Sequence, residues 1–202
     1  MQQNLFIDVP PTINSDFTNN AVYASDYIAM VFQTQQSAYE SSLSFVNFLR
    51  DRKKESETQS LIKKLDKKVS SVKEVINDDK VMFTNVDNKG IKTYGSTGRY
   101  GGFLNGDLGI KHIDSKMPAN SSGQVVSYEY IAKKNPDKIF YINRTDKETK
   151  GIPQELKNPV IKNVNAIKNN DILEFDANTW FFGAGGINST IKQLDDIEKA
   201  YK

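Results

Sequence analysis

Segments with strand character alternate with helical segments along this chain of 202 residues. Apolar runs at residues 81–86, 138–142 and 172–175 have the length and the β-branched or aromatic content of buried strands. In residues 61–76 and 187–197, apolar side chains instead recur at the spacing of an amphipathic helix. Alternation of these two element types is typical of α/β folds. We therefore predict an α/β chain with a three-layer α/β/α lobe around a mostly parallel sheet.

A hairpin followed by a glycine-rich loop is predicted near the middle of the chain. Residues 87–90 (D-N-K-G) are a strong turn signal between strands at 81–86 and 91–94. Four glycines follow within residues 95–102, in an order that lacks the G-K-[ST] ending of a phosphate-binding loop. Because glycines remove side chains around Arg99, we expect its guanidinium to project from a strand-to-helix turn. An ordinary surface arginine is the alternative that the pattern leaves open.

A second arginine is predicted at the end of a later strand. A helix is expected over residues 125–134, ended by N-P-D at 135–137, and the strand at 138–142 follows. Arg144 stands just beyond the carboxyl end of that strand. Ligands of open α/β sheets gather at such ends. We therefore expect Arg99 and Arg144 both to face a ligand.

Three consecutive aromatic residues, 180–182, form the last conspicuous pattern. They follow the strand predicted at 172–175, and three neighbours in a row cannot all point the same way. We expect at least one of them to face solvent or a cleft, whereas a buried aromatic cluster is the more common arrangement.

Composition excludes several kinds of site. The chain has no cysteine and one histidine, His112, which excludes disulfides, thiolate chemistry, a Ser-His-Asp triad and a histidine-rich metal site. A formal net charge of +2 does not favour a nucleic-acid partner, and no apolar run reaches the roughly 18 residues that span a bilayer.

Charge divides the chain near residue 50. The first 50 residues carry one cationic side chain, Arg50, against four acidic ones, while the remainder is net positive. Such asymmetry suggests segments of different origin. We predict a first segment at 1–50, a charged connector and linking helix at 51–78, and the main lobe at 79–202. One domain with an uneven surface is the alternative.

Ordered motifs in the main lobe resemble iron–siderophore-binding proteins of ABC importers. From about residue 55 to the end, the chain is similar to the C-terminal lobe of the members that bind ferric catecholates. The motifs are T-Y-G-S-T-G-R-Y-G at 93–101, S-Y-E-Y-I at 127–131, N-P-D-K-I-F at 135–140, and W-F-F-G-A-G-G at 180–186. The resemblance implies a Rossmann-like, class III periplasmic-binding-protein lobe.

The resemblance also implies a ligand and a site. In this family a ferric siderophore lies in a cleft between two lobes, and arginines of both lobes face the chelate. Arg99 and Arg144 match the arginines of the C-terminal lobe, and Trp180 and Phe181 match aromatic residues that line the cleft. Tyr100 stands in place of the usual phenylalanine. We therefore expect these five residues to bind an Fe(III)–siderophore complex. The resemblance further implies a protein that is not an enzyme and that needs no cofactor.

Further expectations follow from the same resemblance. Glu129 matches the acidic residue that docks on arginines of the membrane permease. Ser122 stands where some relatives have an iron-ligating histidine, so we expect no direct metal ligand. The N-terminal lobe with its arginine is absent, so we expect weak chelate binding. We also expect a monomer. The family is extracytoplasmic and membrane-anchored, but without a signal peptide or a lipid-accepting cysteine we expect this chain to be cytoplasmic.

The first 50 residues resemble a different family. The stretches F-I-D-V-P-P-T at 6–12, T-N-N-A at 18–21 and A-S-D-Y at 24–27 are similar to ParA-type partition ATPases of plasmids, with Asp8 as the aspartate near the nucleotide's magnesium. A partial β-α-β-α segment without the phosphate-binding loop is implied, and hence no ATPase activity. The leading hypothesis is a truncated or fused substrate-binding component of an iron–siderophore importer. The alternatives are an inactive ParA-type fragment and a non-enzymatic α/β interaction module.

Overall fold

A computed structural model describes residues 55–145, 151–182 and 187–202, with the backbone alone at 55–58. The segment predicted at 1–50, its ParA-like motifs and Asp8 lie outside these residues. The boundary near residue 50 therefore stays a prediction.

The centre of the fold is a mixed sheet in the order β4-β2-β1-β5-β6, with β3 also paired to β1. The strands are β1 Lys80–Asp87, β2 Gly90–Thr93, β3 Lys111–His112, β4 Gln124–Val125, β5 Lys138–Arg144 and β6 Ile172–Glu174. Strand β1 runs parallel to β3 and β5, and β5 runs parallel to β6. Strand β2 is antiparallel to both β1 and β4. The predicted hairpin is confirmed, with Asp87 opposite Gly90.

Helices cover both faces of the sheet. The α-helices are α1 Glu55–Val75, α2 Tyr128–Lys134, α3 Asn165–Lys168 and α4 Ile187–Ala200. Shorter helical turns span Gly102–Asp107, Gln154–Lys157, Pro159–Ile161 and Asn178–Phe182. One face packs Phe83 and Phe140 against α1 and α4. The other packs Met82 and Ile139 against α2 and the turns that follow β5, so the three-layer α/β/α architecture is confirmed.

Helix α2 begins three residues later than the sequence predicted. The side chain of Ser127 accepts a hydrogen bond from the backbone N–H of Tyr130 at 3.2 Å and caps the helix. Residues Gln124–Val125 pair with β2 instead. A polar cap and a free sheet edge together determine this boundary, and only the cap could have been read from the sequence.

The glycine-rich loop after β2 depends on close backbone packing. A Cβ atom at Gly95 would lie 2.7 Å from the carbonyl oxygens of Met117 and Pro118. A Cβ atom at Gly101 would collide with the Gly95 carbonyl itself. Gly98 has a φ of +89°, a conformation that other residues adopt at a cost. The loop that carries Arg99 is therefore folded tightly onto itself.

We expect Gly101→Ala to lower the free energy of unfolding by about 1–3 kcal/mol, because the new methyl group meets rigid backbone. Gly106→Ala is the matched control, since a Cβ there meets nothing within 4 Å. Urea denaturation followed by tryptophan fluorescence measures both. Equal stability of Gly101→Ala and the unaltered chain would contradict the close packing of this loop.

Candidate ligand-binding site

The ring of Phe181 contacts both arginines that the sequence singled out. The Cζ atom of Arg144 lies 3.8 Å from the ring centroid, and that of Arg99 lies 4.4 Å from it. Both distances are within the roughly 6 Å range of a cation–π interaction. Because the two guanidinium groups share one ring, they can be no farther apart than these two distances combined.

Different elements bring the two arginines to this ring. Arg99 belongs to the glycine-rich loop, and its Nη2 donates a hydrogen bond to the Phe181 carbonyl oxygen at 2.6 Å. Arg144 is the last residue of β5 and is exposed. The carboxyl end of a parallel strand therefore supplies one guanidinium, and a loop fixed by close-packed glycines supplies the other.

The three aromatic residues at 180–182 divide between the core and the surface. Trp180 is fully buried, Phe181 is half-buried, and Phe182 is 68% exposed. The rings of Phe181 and Phe182 meet edge to face at 5.0 Å. Sequence reasoning did not select Phe182 as a site residue, although it did predict that one of the three would face solvent.

Trp180 and Tyr100 do not line an open surface, which corrects their expected position. Trp180 is 0% exposed, stacks on Phe175 at 4.6 Å, and donates from Nε1 to a carboxylate oxygen of Asp196 at 2.9 Å. Tyr100 is 3% exposed and packs on Phe83 at 4.4 Å, and burial raises the pKa of its hydroxyl. Neither ring offers a face to a ligand, because both complete the aromatic core beneath the site.

The site carries a positive field. Among the residues that the structure describes, no carboxylate forms an ion pair with Arg99 or Arg144. Burial raises the pKa of Tyr94, while a hydrogen bond with Asn85 and the charges of Arg99, Lys92 and Arg144 oppose this rise. The charges of Lys92 and of both arginines therefore act together on the Tyr94 hydroxyl.

Glu129 lies on a different element from the arginines. It occupies the first turn of α2, where its side chain is exposed. Hydrogen bonds from its own backbone N–H and from Ser127 lower the pKa of its carboxyl. Glu129 is therefore a surface carboxylate at a helix N-terminus, and it takes no part in the Arg99–Phe181–Arg144 stack.

The described part of the chain holds no cluster of three or more potential metal ligands. Ser122 is exposed, and its backbone N–H bonds to Oδ1 of Asn120 at 2.9 Å. The ring nitrogens of His112 contact backbone atoms of Tyr94 and Asp114 at 2.7–2.9 Å. His112 thus has a structural role.

No helix in the described ranges is both long and apolar enough to cross a membrane.

Comparisons with known proteins match most of the chain. A model of the family described as "Periplasmic binding protein" matches residues 27–179. The petrobactin-binding protein YclQ of Bacillus subtilis is 33% identical over 150 residues, which is 72% of this chain and 47% of that protein. The ferric-anguibactin-binding protein FatB of Vibrio anguillarum is 30% identical over 155 residues, or 74% of this chain and 48% of that protein.

The fold comparison agrees with the sequence comparison. The crystal structure of Bacillus subtilis YclQ matches with a TM-score of 0.71 at 26% identity, covering 83% of this chain and 62% of that one. The chain spans about half the length of the curated relatives it matches. The family match begins at residue 27, before the segment boundary predicted at 50.

We expect the fluorescence of Trp180 to resist a neutral quencher, because its indole is fully buried and hydrogen-bonded to Asp196. It is the only tryptophan, so the emission reports on one site. The test is acrylamide quenching of the folded chain, with the chain in urea as the exposed reference. Quenching of the folded chain as strong as that of the unfolded chain would contradict the burial of Trp180.

Proposed function

Because the chain belongs to the periplasmic binding protein family, we propose that its main lobe binds an anionic ferric chelate of the siderophore type for an iron importer. Proteins of this family bind substrates and are not enzymes. The observation that carries the proposal is the stack of Arg99 and Arg144 on Phe181. The relatives named for petrobactin and ferric anguibactin support this class of ligand.

The chemistry of the stack suits such a ligand. A ferric tris-catecholate carries three negative charges and presents oxygen atoms rimmed by aromatic rings. A guanidinium remains charged, pairs with oxygen anions through a planar fork and stacks on aromatic faces. The exposed ring of Phe182 adds an apolar contact beside Arg144, whose Cζ lies 5.9 Å from its centroid. The chelate itself would supply the donors to iron.

The described lobe would contact one side of the chelate. We propose Phe181 as the platform and the two arginines as the groups that recognise charge. Trp180 and Tyr100 would support the platform from below.

A membrane permease is the proposed partner. Glu129 is exposed and ionised at neutral pH, as its lowered pKa indicates. A carboxylate at the start of a helix can form ion pairs with arginines of another protein. We propose this docking role for Glu129, in an extracytoplasmic setting typical of the family; the origin of residues 1–50 and the chain's own location remain predictions.

We expect Arg144→Gln to weaken binding of a synthetic ferric tris-catecholate at least tenfold, because a central charged contact is lost. Arg144→Lys should recover only part of this loss, since an ammonium keeps the charge but lacks the planar fork. Isothermal titration calorimetry measures both effects. Lys134→Gln is the control, because Lys134 pairs with Asp114 and does not contact Phe181.

Two results would contradict the proposal. The first is that the unaltered chain binds the chelate no better than it binds an uncharged aromatic compound of similar size. The second is that the Arg144→Gln variant binds the chelate with the same affinity as the unaltered chain.

A further inference from the structure

An acidic residue lies next to Arg144 but does not pair with it. Strands β1 and β5 are parallel, and their register places Asp87 directly beside Arg144. Register partners on adjacent strands project from the same face of a sheet. An arginine and an aspartate so placed are close enough to attract each other across the strands. In this protein Arg144 instead stacks on Phe181 at 3.8 Å.

Other groups occupy both carboxylate oxygens of Asp87. Its Oδ1 accepts a hydrogen bond from the backbone N–H of Lys89 at 2.8 Å, within the hairpin turn. Its Oδ2 accepts from Nζ of Lys92 at 2.7 Å. The Asp87 side chain is 16% exposed and that of Lys92 is 22% exposed, so the ion pair is largely shielded from water. Each carboxylate oxygen of Asp87 thus has a partner other than Arg144.

Lys92 is held in place by the sheet. It lies in β2, opposite Asn85 of β1 and Val125 of β4. The backbone of Gly123 packs over its stem, since a Cβ at Gly123 would lie 3.3 Å from the Lys92 Cβ. The ammonium group therefore reaches Asp87 from a fixed position on the same face.

We propose that Lys92 is a positioning residue: by holding Asp87, it prevents an internal Asp87–Arg144 ion pair and leaves the Arg144 guanidinium available to an anionic ligand. This inference rests on the proposed function for one point, the identity of the ligand; the role of Lys92 toward Asp87 and Arg144 does not depend on it. The hairpin that carries Lys92 thereby takes part in ligand binding without contacting the ligand.

Electrostatics agrees with this arrangement. Partial burial raises the pKa of Asp87, but the hydrogen bonds from Lys92 and from the Lys89 backbone, together with the Lys92 and Arg144 charges, lower it below its usual value. Asp87 is therefore ionised at neutral pH. Without Lys92, this carboxylate would stay shielded from water but lose its main partner, which is costly for a charged group. Arg144 is the other cation whose charge lowers the pKa of Asp87, and we expect the two to pair.

The experiment compares free-state and ligand-bound behaviour in matched variants. Lys92→Gln removes the charge, Lys92→Arg keeps it, and Asp87→Asn combined with Lys92→Gln removes the competing acid as well. Lys134→Gln is the control, because it removes the lysine of a comparable ion pair, with Asp114 at 2.6 Å.

The first readout is hydrogen exchange of the Arg144 side-chain Nε–H in ¹H–¹⁵N spectra of the free protein. The chain has four arginines, so the signal that disappears in the Arg144→Lys variant is assigned to Arg144.

We expect Lys92→Gln to slow this exchange and to weaken binding of a ferric tris-catecholate about tenfold, as loss of a charged contact does. The double variant should restore both values, and Lys92→Arg and Lys134→Gln should leave both unchanged. Rescue by the second substitution separates the positioning role from general damage to the fold.

The outcomes separate the two proposals. An unchanged Arg144 signal in Lys92→Gln, or a failure of the double variant to restore it, would overturn the positioning role whatever the ligand data show. If the unaltered chain does not bind the chelate while the Arg144 signal shifts and recovers as expected, the proposed ligand is wrong and the positioning role stands.

Discussion

The site depends on one aromatic ring that two positive charges share. Two guanidinium groups close together repel each other, and the π-electron face of Phe181 offsets that repulsion at both Cζ atoms. The hydrogen bond from Arg99 to the Phe181 carbonyl fixes the backbone beneath the ring. Without the Phe181 ring, Arg99 would keep its hydrogen bond to the backbone carbonyl, but Arg144 would lose its cation–π contact with that ring, and the two charges would no longer share one partner.

The core of the lobe holds that ring in place. Trp180, the preceding residue, is buried against Phe175 and is anchored to helix α4 through Asp196. In the loop after β2, the backbone packs so closely around Gly95 and Gly101 that the position of the Arg99 backbone is fixed. Strand β5 supplies Arg144 from the centre of the sheet. Packing far below the surface therefore determines where charge is presented.

Local patterns predicted much of this fold, but not which side of each element its residues face. The hairpin turn at 87–90 and helix α1 are determined by residues close together in the sequence, and both predictions are confirmed. The position of Arg144 at the carboxyl end of β5 also followed from the strand pattern, whereas the ligand-binding roles of Arg99 and Arg144 stay predictions. The burial of Trp180 and Tyr100 could not be predicted, because an aromatic ring suits a core as well as a cleft and tertiary packing decides between them. Phe182 was missed for the same reason.

The most direct test of the account is paramagnetic relaxation of the two arginine Nε–H signals at saturating chelate. Ferric and gallium tris-catecholates have the same charge and shape, but only the ferric form broadens nearby resonances. If both guanidinium groups face one ligand, Arg99 and Arg144 broaden together with iron and neither broadens with gallium. Broadening of only one of them, or of neither, would contradict a shared site on Phe181.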